Sequence, residues 1–190
     1  MDDLTTMARP AAPRLEVPVL VARLLGLLDS AARLTEQLPA EALDAKLPGR
    51  DRTHLDLAYH VPQVVVGFLD AALGGRLTRE HLERRPPGHL RTAADAARLT
   101  RSVSQALAVW WSGNQSRLPA TVDTYCGVQP LHAVLERTTW HVARHARQLE
   151  SLLESLLELR GVTPAPRLAP VLLDGRPRPA DVWDAEVPLS

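Results

Sequence analysis

The chain of 190 residues has little of what several large classes of protein require. Cys126 is its single cysteine, which excludes an internal disulfide and favours a reducing compartment. The 22 basic and 22 acidic side chains leave no net charge, and no basic run alternates with aromatic residues as nucleic-acid binding requires. No apolar run approaches the roughly 20 residues that span a bilayer, and Met1 is not followed by a basic secretion signal. We therefore predict a cytoplasmic protein with neither a nucleic-acid nor a membrane partner.

Proline is concentrated toward the two ends of the chain. Residues 1–16, with Pro10 and Pro13, predict a flexible leader. Residues 161–190 contain six prolines and predict an irregular C-terminal tail, in which Val182 and Trp183 indicate packing on the rest of the protein. Residues 17–160 are long enough for one well-buried core, so they predict a single domain.

Four segments carry apolar residues at the three- and four-residue spacing of amphipathic helices. They run from about Val17 to Leu38, Thr53 to Leu73, Thr92 to Trp111, and Pro130 to Leu159. A short β-prone piece around Thr121 to Tyr125 lies within a predicted long crossing loop, residues 114–129. Because each helix has one apolar face to bury, the sequence predicts an all-α four-helix bundle with long crossover connections.

The most informative motif is HxxxHxxQ, formed by His141, His145 and Gln148 in the fourth segment. On a helix these offsets place the three side chains within about 40° of one another. Two imidazoles one turn apart can chelate a divalent ion, and a nearby glutamine can orient a ligand or a bound water. His60, beside apolar residues of the second segment, is the candidate third ligand. Pro62 follows it closely and predicts a kink there or a later helix start.

Other side chains near this motif are candidates for the pocket. Trp140 is predicted to shape its wall, and His132, more than two turns before His141, to line its mouth. One face of the fourth segment is predicted to be solvated, because it carries Arg137, Arg144 and Arg147. Alternatively, one of these arginines reaches the pocket and engages an anionic substrate. His54, about 120° from the face of His60, is predicted to lie on the surface.

The sequence identifies no catalytic acid or base. Metallopeptidases with an HExxH motif place a glutamate directly after the first histidine, where it serves as the general base. Val142 and Ala143 separate His141 from Arg144 in this chain, which disfavours that class of peptidase. No residue is predicted to bind an organic cofactor.

The order of these residues resembles the DinB-like superfamily of metalloenzymes, also called DinB/YfiT-like. The resemblance rests on the stretch Asp56-Leu57-Ala58-Tyr59-His60, on the later HxxxHxxQ and on the four helices, and covers roughly residues 17–160. It implies a bundle with an unusual order of helix directions, zinc or nickel held by His60, His141 and His145, and a homodimer. Several relatives transfer low-molecular-weight thiols such as mycothiol or bacillithiol, and related members isomerise maleylpyruvate.

Three functions stay open at this point. The first is a metal-dependent enzyme that activates a thiol cosubstrate, as an S-transferase does, or water, for reaction with a small molecule. The second is a non-catalytic, stress-associated protein in which the ion joins two helices, and this would require a fourth protein ligand. The third is a metal-dependent hydrolase, which would require a base within reach of a bound water.

Overall fold

The computed structural model describes residues 14–47, 49–158 and 168–173. Residues 1–13 of the predicted leader lie outside this description, as does most of the predicted tail, including Val182 and Trp183. None of the described helices has the length and apolar character needed to cross a membrane.

Five α-helices account for most of the described chain. They are α1 (Val17–Glu36), α2 (His54–Ala72), α3 (Arg79–Glu83), α4 (Ala93–Asn114) and α5 (Leu131–Glu158), with short 3₁₀ turns at Ala40–Ala42 and Pro170–Leu172. The four predicted helices are confirmed, and none of their ends differs by more than three residues from the end expected. The short helix α3 was not predicted.

The core lies where the four long helices meet. Helices α1 and α2 each pack against both α4 and α5, so every long helix buries its apolar stripe on two neighbours. From α1 the buried side chains come at three- and four-residue spacing, as an amphipathic helix requires: Leu20, Leu24, Leu27, Leu28, Ala31 and Leu34. Phe68 of α2 meets the ring of Trp110 of α4 edge to face, with centroids 5.3 Å apart.

Helix α2 begins at a capping box that fixes its register. The N–H of Asp56 donates to Thr53 Oγ1 at 3.1 Å, and the N–H of Thr53 donates to Asp56 Oδ2 at 2.8 Å. Of the two alternatives predicted from Pro62, the later helix start is therefore wrong, and α2 continues through that proline. Fifteen of its 19 residues are buried, and this packing offsets the loss of the proline N–H.

The prediction of a helical protein is confirmed, and a small sheet that was not part of this prediction accompanies the helices. Its strands are β1 (Arg76–Leu77), β2 (Thr121–Thr124) and β3 (Gly127–Pro130). Strand β1 pairs with β2 in parallel, and β2 pairs with β3 as an antiparallel hairpin. The predicted β-prone piece is confirmed as β2. Residues 114–129, which the sequence predicts to be a long crossing loop, instead contain most of the hairpin. Alternate burial of Val122 and Thr124 shows the period of two that a strand requires.

Residues 168–173 lie against the helices. The N–H of Leu168 donates to Glu150 Oε1 of α5 at 2.8 Å, and the 3₁₀ turn contacts α1. Leu172 comes so close to Gly26 that a Cβ built on the glycine would stand 2.8 Å from Leu172 Cδ2. The glycine therefore gives this segment room on the surface of α1.

Candidate metal centre

Three buried histidines meet between α2 and α5. His60 comes from α2, while His141 and His145 lie one turn apart on α5. Their exposed fractions are only 4%, 5% and 4%, and one ring nitrogen from each lies within 4.8 Å of the others. The structure thus brings together the three residues that the sequence selects, although His60 and His141 are 81 positions apart in the chain.

The spacing of these nitrogens is that of atoms able to share one ion. Nε2 of His60 and Nε2 of His141 are 3.0 Å apart, and the three ring centroids stand between 4.6 and 5.2 Å from one another. Two nitrogens bound to one tetrahedral zinc at about 2.0–2.1 Å would stand about 3.3 Å apart. The distance between Nε2 of His60 and Nε2 of His141 is therefore close to the distance between two ligands of one ion.

Burial favours the neutral form of two of the imidazoles, those of His60 and His141, and this is the form that a metal ligand needs. Loss of hydration lowers the pKa of His60 well below its usual value of 6.5, and the neighbouring charges of His145 and Arg52 lower it further. Burial also lowers the pKa of His141 well below 6.5, and electrostatic repulsion from His145 and His60 lowers it further. Both rings consequently present a lone pair at neutral pH.

Gln148 orients the third ring. Its Oε1 lies 2.6 Å from Nδ1 of His145. An amide oxygen can only accept, so Nδ1 is the ring nitrogen that donates, and this leaves Nε2 as the nitrogen available to a metal. Nε2 of His145 is itself buried. The glutamine therefore occupies the position expected from the stripe, where it selects the tautomer able to bind a metal.

Replacing Gln148 with leucine is expected to weaken metal binding by about 10- to 100-fold. The leucine keeps most of the side-chain volume but removes the acceptor that holds the His145 proton on Nδ1. The measurement is a competition titration with a chelator of known affinity. Gln105→Leu is the matched control, because Gln105 is exposed on α4 and its replacement should leave the affinity unchanged. Equal affinities for both variants would contradict the orienting role.

Trp140 and Arg144 form a second layer beside the histidines. The guanidinium carbon of Arg144 lies 5.7 Å from the centroid of the half-buried Trp140 ring, a cation–π contact. Arg144 is 4% exposed, so the prediction of a solvated face is wrong for this residue. Its charge also helps to lower the pKa of His141. A positive charge thus lies close to the three-histidine group.

Two further histidines lie apart from the group. Nε2 of the partly buried His132 is 2.8 Å from the carbonyl oxygen of Leu15, so this ring joins α5 to the segment before α1. The prediction that His54 lies on the surface is wrong, since it is 5% exposed. Burial lowers its pKa, and a hydrogen bond with the backbone of Ala42 opposes that shift.

The donor set indicates which ions would fit. Within the described chain, no carboxylate or cysteine joins the three nitrogens. Neutral imidazoles suit zinc, nickel and related divalent ions, whereas magnesium and calcium require oxygen ligands. Three protein ligands leave at least one position for a small molecule.

The chain matches no protein-family model, and no curated protein matches it. Functional conclusions therefore rest on the residues of the chain itself.

Proposed function

We propose that this protein is a metal-dependent enzyme and that it binds one divalent ion through His60, His141 and His145. The observation that carries the proposal is the convergence of three buried ring nitrogens within 4.8 Å. Histidines are rarely gathered in a core without a shared partner, because three dry imidazoles lose hydration and repel one another when protonated. A bound ion removes both costs.

The proposal includes a DinB-like four-helix bundle over residues 17–160. Two observations support it: α1 and α2 each pack on both α4 and α5, and the histidines come from the second and the last of the four long helices. The small sheet would then be an addition between these helices. The homodimer that this resemblance implies is part of the same proposal.

Thiol activation is the reaction that we propose for this centre. A divalent ion, when bound, supplies the Lewis acidity that lowers the pKa of a bound thiol or water toward neutrality. The three imidazoles would hold the ion, and Gln148 would keep the lone pair of His145 directed at it. Arg144, placed over Trp140, adds a positive charge nearby that favours an anionic thiolate.

In the proposed transfer, the S–H bond of a low-molecular-weight thiol breaks and its proton passes to solvent. The sulfur then forms a bond to the electrophilic carbon of a small molecule, while the bond from that carbon to its leaving group breaks and the leaving group departs with the electron pair. A thiolate needs no further base once it has formed. Hydrolysis, in contrast, needs a base close to the attacking water, and the described chain places no carboxylate in the three-nitrogen group. This difference favours thiol transfer over hydrolysis.

A purely structural ion would be closed by a fourth protein ligand. The group found in the described chain has three members. This count supports an ion with an exchangeable position and therefore favours an enzyme over a metal-stabilised scaffold.

The test is the metal content of protein purified without a histidine tag. We expect about one divalent ion per chain in the wild type and in His132→Ala, because His132 lies outside the three-histidine group. His145→Ala should retain little metal, since two ligands bind far more weakly than three. The measurement is elemental analysis by mass spectrometry.

Absence of metal from the wild type, even after reconstitution with zinc or nickel, would contradict the proposal. A loaded protein would next be assayed with thiol donors and small electrophiles. Activity that depends on the thiol and disappears in His145→Ala would support the transferase, and hydrolysis without a thiol would favour the alternative.

A further inference from the structure

Helix α3 begins at a cap that a histidine provides. The backbone N–H of Thr78 donates to Nδ1 of His81 at 3.1 Å, and the Thr78 hydroxyl oxygen lies 2.9 Å from the same nitrogen. A glutamate or glutamine ordinarily takes this third helical position and accepts the N–H with an oxygen. An imidazole nitrogen can accept it only while that nitrogen carries no proton. The cap of α3 therefore exists only while His81 is neutral.

Asp70 offers the same ring a second partner on α2. Its Oδ2 lies 3.8 Å from Nε2 of His81, the other ring nitrogen. Asp70 belongs to the last turn of α2, where the helix dipole also favours a positive charge. A protonated ring is thus attracted both by the carboxylate and by the end of the helix. The His81 side chain is 14% exposed, so protons from solvent can reach it.

The remaining charges near His81 do not offer it a buried partner. The charged residues of α3 and of its C-terminal cap are all exposed: Arg79, Glu80, Glu83 and Arg84. Glu80 stands next to His81 but pairs with Arg84 at 2.6 Å. Within the described chain α3 packs mainly on α2, and Asp70 is the charged side chain of α2 that faces the ring. Asp70 is therefore the group that competes with Thr78 for a protonated His81.

Helix α3 and the residue that follows its cap hold the start of α2. The carbonyl oxygen of Leu82 accepts from Nη2 of Arg52 at 3.4 Å. Arg85 pairs with Asp56, the carboxylate of the α2 capping box, and donates from Nη2 to the carbonyl oxygen of Asp51 at 2.8 Å. A displacement of α3 would therefore be transmitted to the beginning of α2.

The chain after α3 also closes one side of a cavity. Residues 84–92 form the segment that connects α3 to α4. In this connecting segment Pro87, His89 and Leu90 line a cavity of about 420 Å³ beside Gln63 of α2. This volume falls within the range of pockets that bind small molecules. Because this wall is attached to α3, its position follows that of the helix.

We propose that His81 is a pH-sensitive switch that sets the position of α3. The neutral ring caps α3 through Thr78. Between about pH 8 and 5, the range in which histidine takes up a proton, the ring leaves Thr78 and turns toward Asp70. The first turn of α3 then loosens, and its contacts with the start of α2 and with the cavity wall change. The base of the side chain stays in place against Gly67, where an added Cβ would stand 3.0 Å from His81 Cβ. The switch does not depend on the proposed metal centre.

The test follows backbone amide shifts of the full chain by NMR as the pH falls from 8 to 5. The amide proton of Thr78 should move to higher field as its hydrogen bond is lost, and residues 51–56 and 82–85 should shift with the same midpoint. His81→Gln should abolish these shifts, because a glutamine oxygen accepts the N–H at every pH. His89→Gln is the matched control, since His89 is exposed on the connecting segment, and should behave as the wild type.

Two results of this titration would overturn the proposal. The first is a Thr78 amide that does not shift in the wild type or shifts equally in His81→Gln. The second is a transition at Thr78 that leaves residues 51–56 and 82–85 unchanged, because α3 would then keep its position.

A variant of Asp70 tests the second partner of the ring. Asp70→Asn should move the midpoint at Thr78 to lower pH by roughly half a unit, the effect expected of a partly exposed ion pair. Asp29→Asn, altered at an exposed position of α1, should keep the midpoint of the wild type. Equal midpoints for Asp70→Asn and the wild type would overturn the movement toward Asp70.

The ring nitrogens of the wild type provide a test if His81→Gln does not fold. Nitrogen chemical shifts distinguish a protonated from an unprotonated ring nitrogen. At pH 8 Nδ1 of His81 should carry no proton and Nε2 should carry one, since Nδ1 accepts from Thr78. A proton on Nδ1 at pH 8 would overturn the proposed cap.

Discussion

Zinc at a thousand times its dissociation constant is expected to raise the free energy of unfolding by about 4 kcal/mol, because a ligand that binds only the folded state stabilises it by mass action. For a chain of this length, each kcal/mol shifts the melting temperature by about 2–4 °C, so the expected rise is about 8–16 °C. The measurement is thermal unfolding followed by circular dichroism, with and without zinc.

Selectivity for the folded state follows from the separation of the ligands along the chain. His141 and His145 are one turn apart and retain some affinity in any helical state, whereas His60 is 81 positions before His141. Folding alone brings the third nitrogen into the group. His60→Ala should therefore lose most of the stabilisation by zinc, even though the HxxxH pair remains intact.

His89→Ala is the control for this experiment, since His89 is exposed and belongs to no part of the three-histidine group. Its melting temperature should rise with zinc as in the wild type. Equal stabilisation of His60→Ala and the wild type would show that zinc binds elsewhere.

The metal-free protein is expected to lose stability steeply as the pH falls below about 6.5, the ordinary pKa of histidine. Burial holds the pKa values of His60 and His141 well below 6.5 in the folded state. At pH values between the folded and unfolded pKa, the unfolded chain binds more protons than the folded one. The stabilisation is thus complete above 6.5 and decreases as the pH falls toward the folded pKa values.

With two such groups, the free energy of unfolding changes by at most about 2.7 kcal/mol per pH unit. The measurement is urea unfolding of metal-free protein at several pH values between 7.5 and 5. His141→Asn removes one titrating group, so its slope should be about half as steep. His89→Asn, altered at an exposed position, should follow the wild type. Parallel profiles for wild type and His141→Asn would contradict a buried neutral His141.

The helices and the histidine group could be predicted because their patterns are local or repeat along the chain. Helical spacing fixes which side chains share a face, so His141, His145 and Gln148 were bound to lie together on α5. The choice of His60 required only that the second predicted helix present it inward. Its agreement with the structure shows how strongly amphipathic patterning limits the ways in which helices can pack.

The missed features depend on distant partners or on complete burial. Strand β1 has two residues and pairs with Asp123 and Thr124, far along the chain, so no local pattern indicates it. The angle of about 120° between His54 and His60 on the helix predicts a surface position for His54, but α2 is buried on nearly every side. Angular arguments fail on such a helix. The cavity beside Gln63 depends on the course of the connecting segment, which sequence periodicity does not determine.

The small sheet links the two helices that carry the histidines. Strand β1 follows the end of α2 at Ala72 after a short turn, and the hairpin leads directly into α5 at Leu131. From those points the helices extend for about 18 Å back to His60 and about 15 Å forward to His141, at about 1.5 Å per residue. The sheet therefore fixes the position of α2 relative to α5 along the helix axes, so that the imidazoles of His60 and His141 lie at about the same level. A shift of one residue in the pairing of β1 with β2 would move His60 out of line with His141, although both histidines lie more than two helical turns from the sheet.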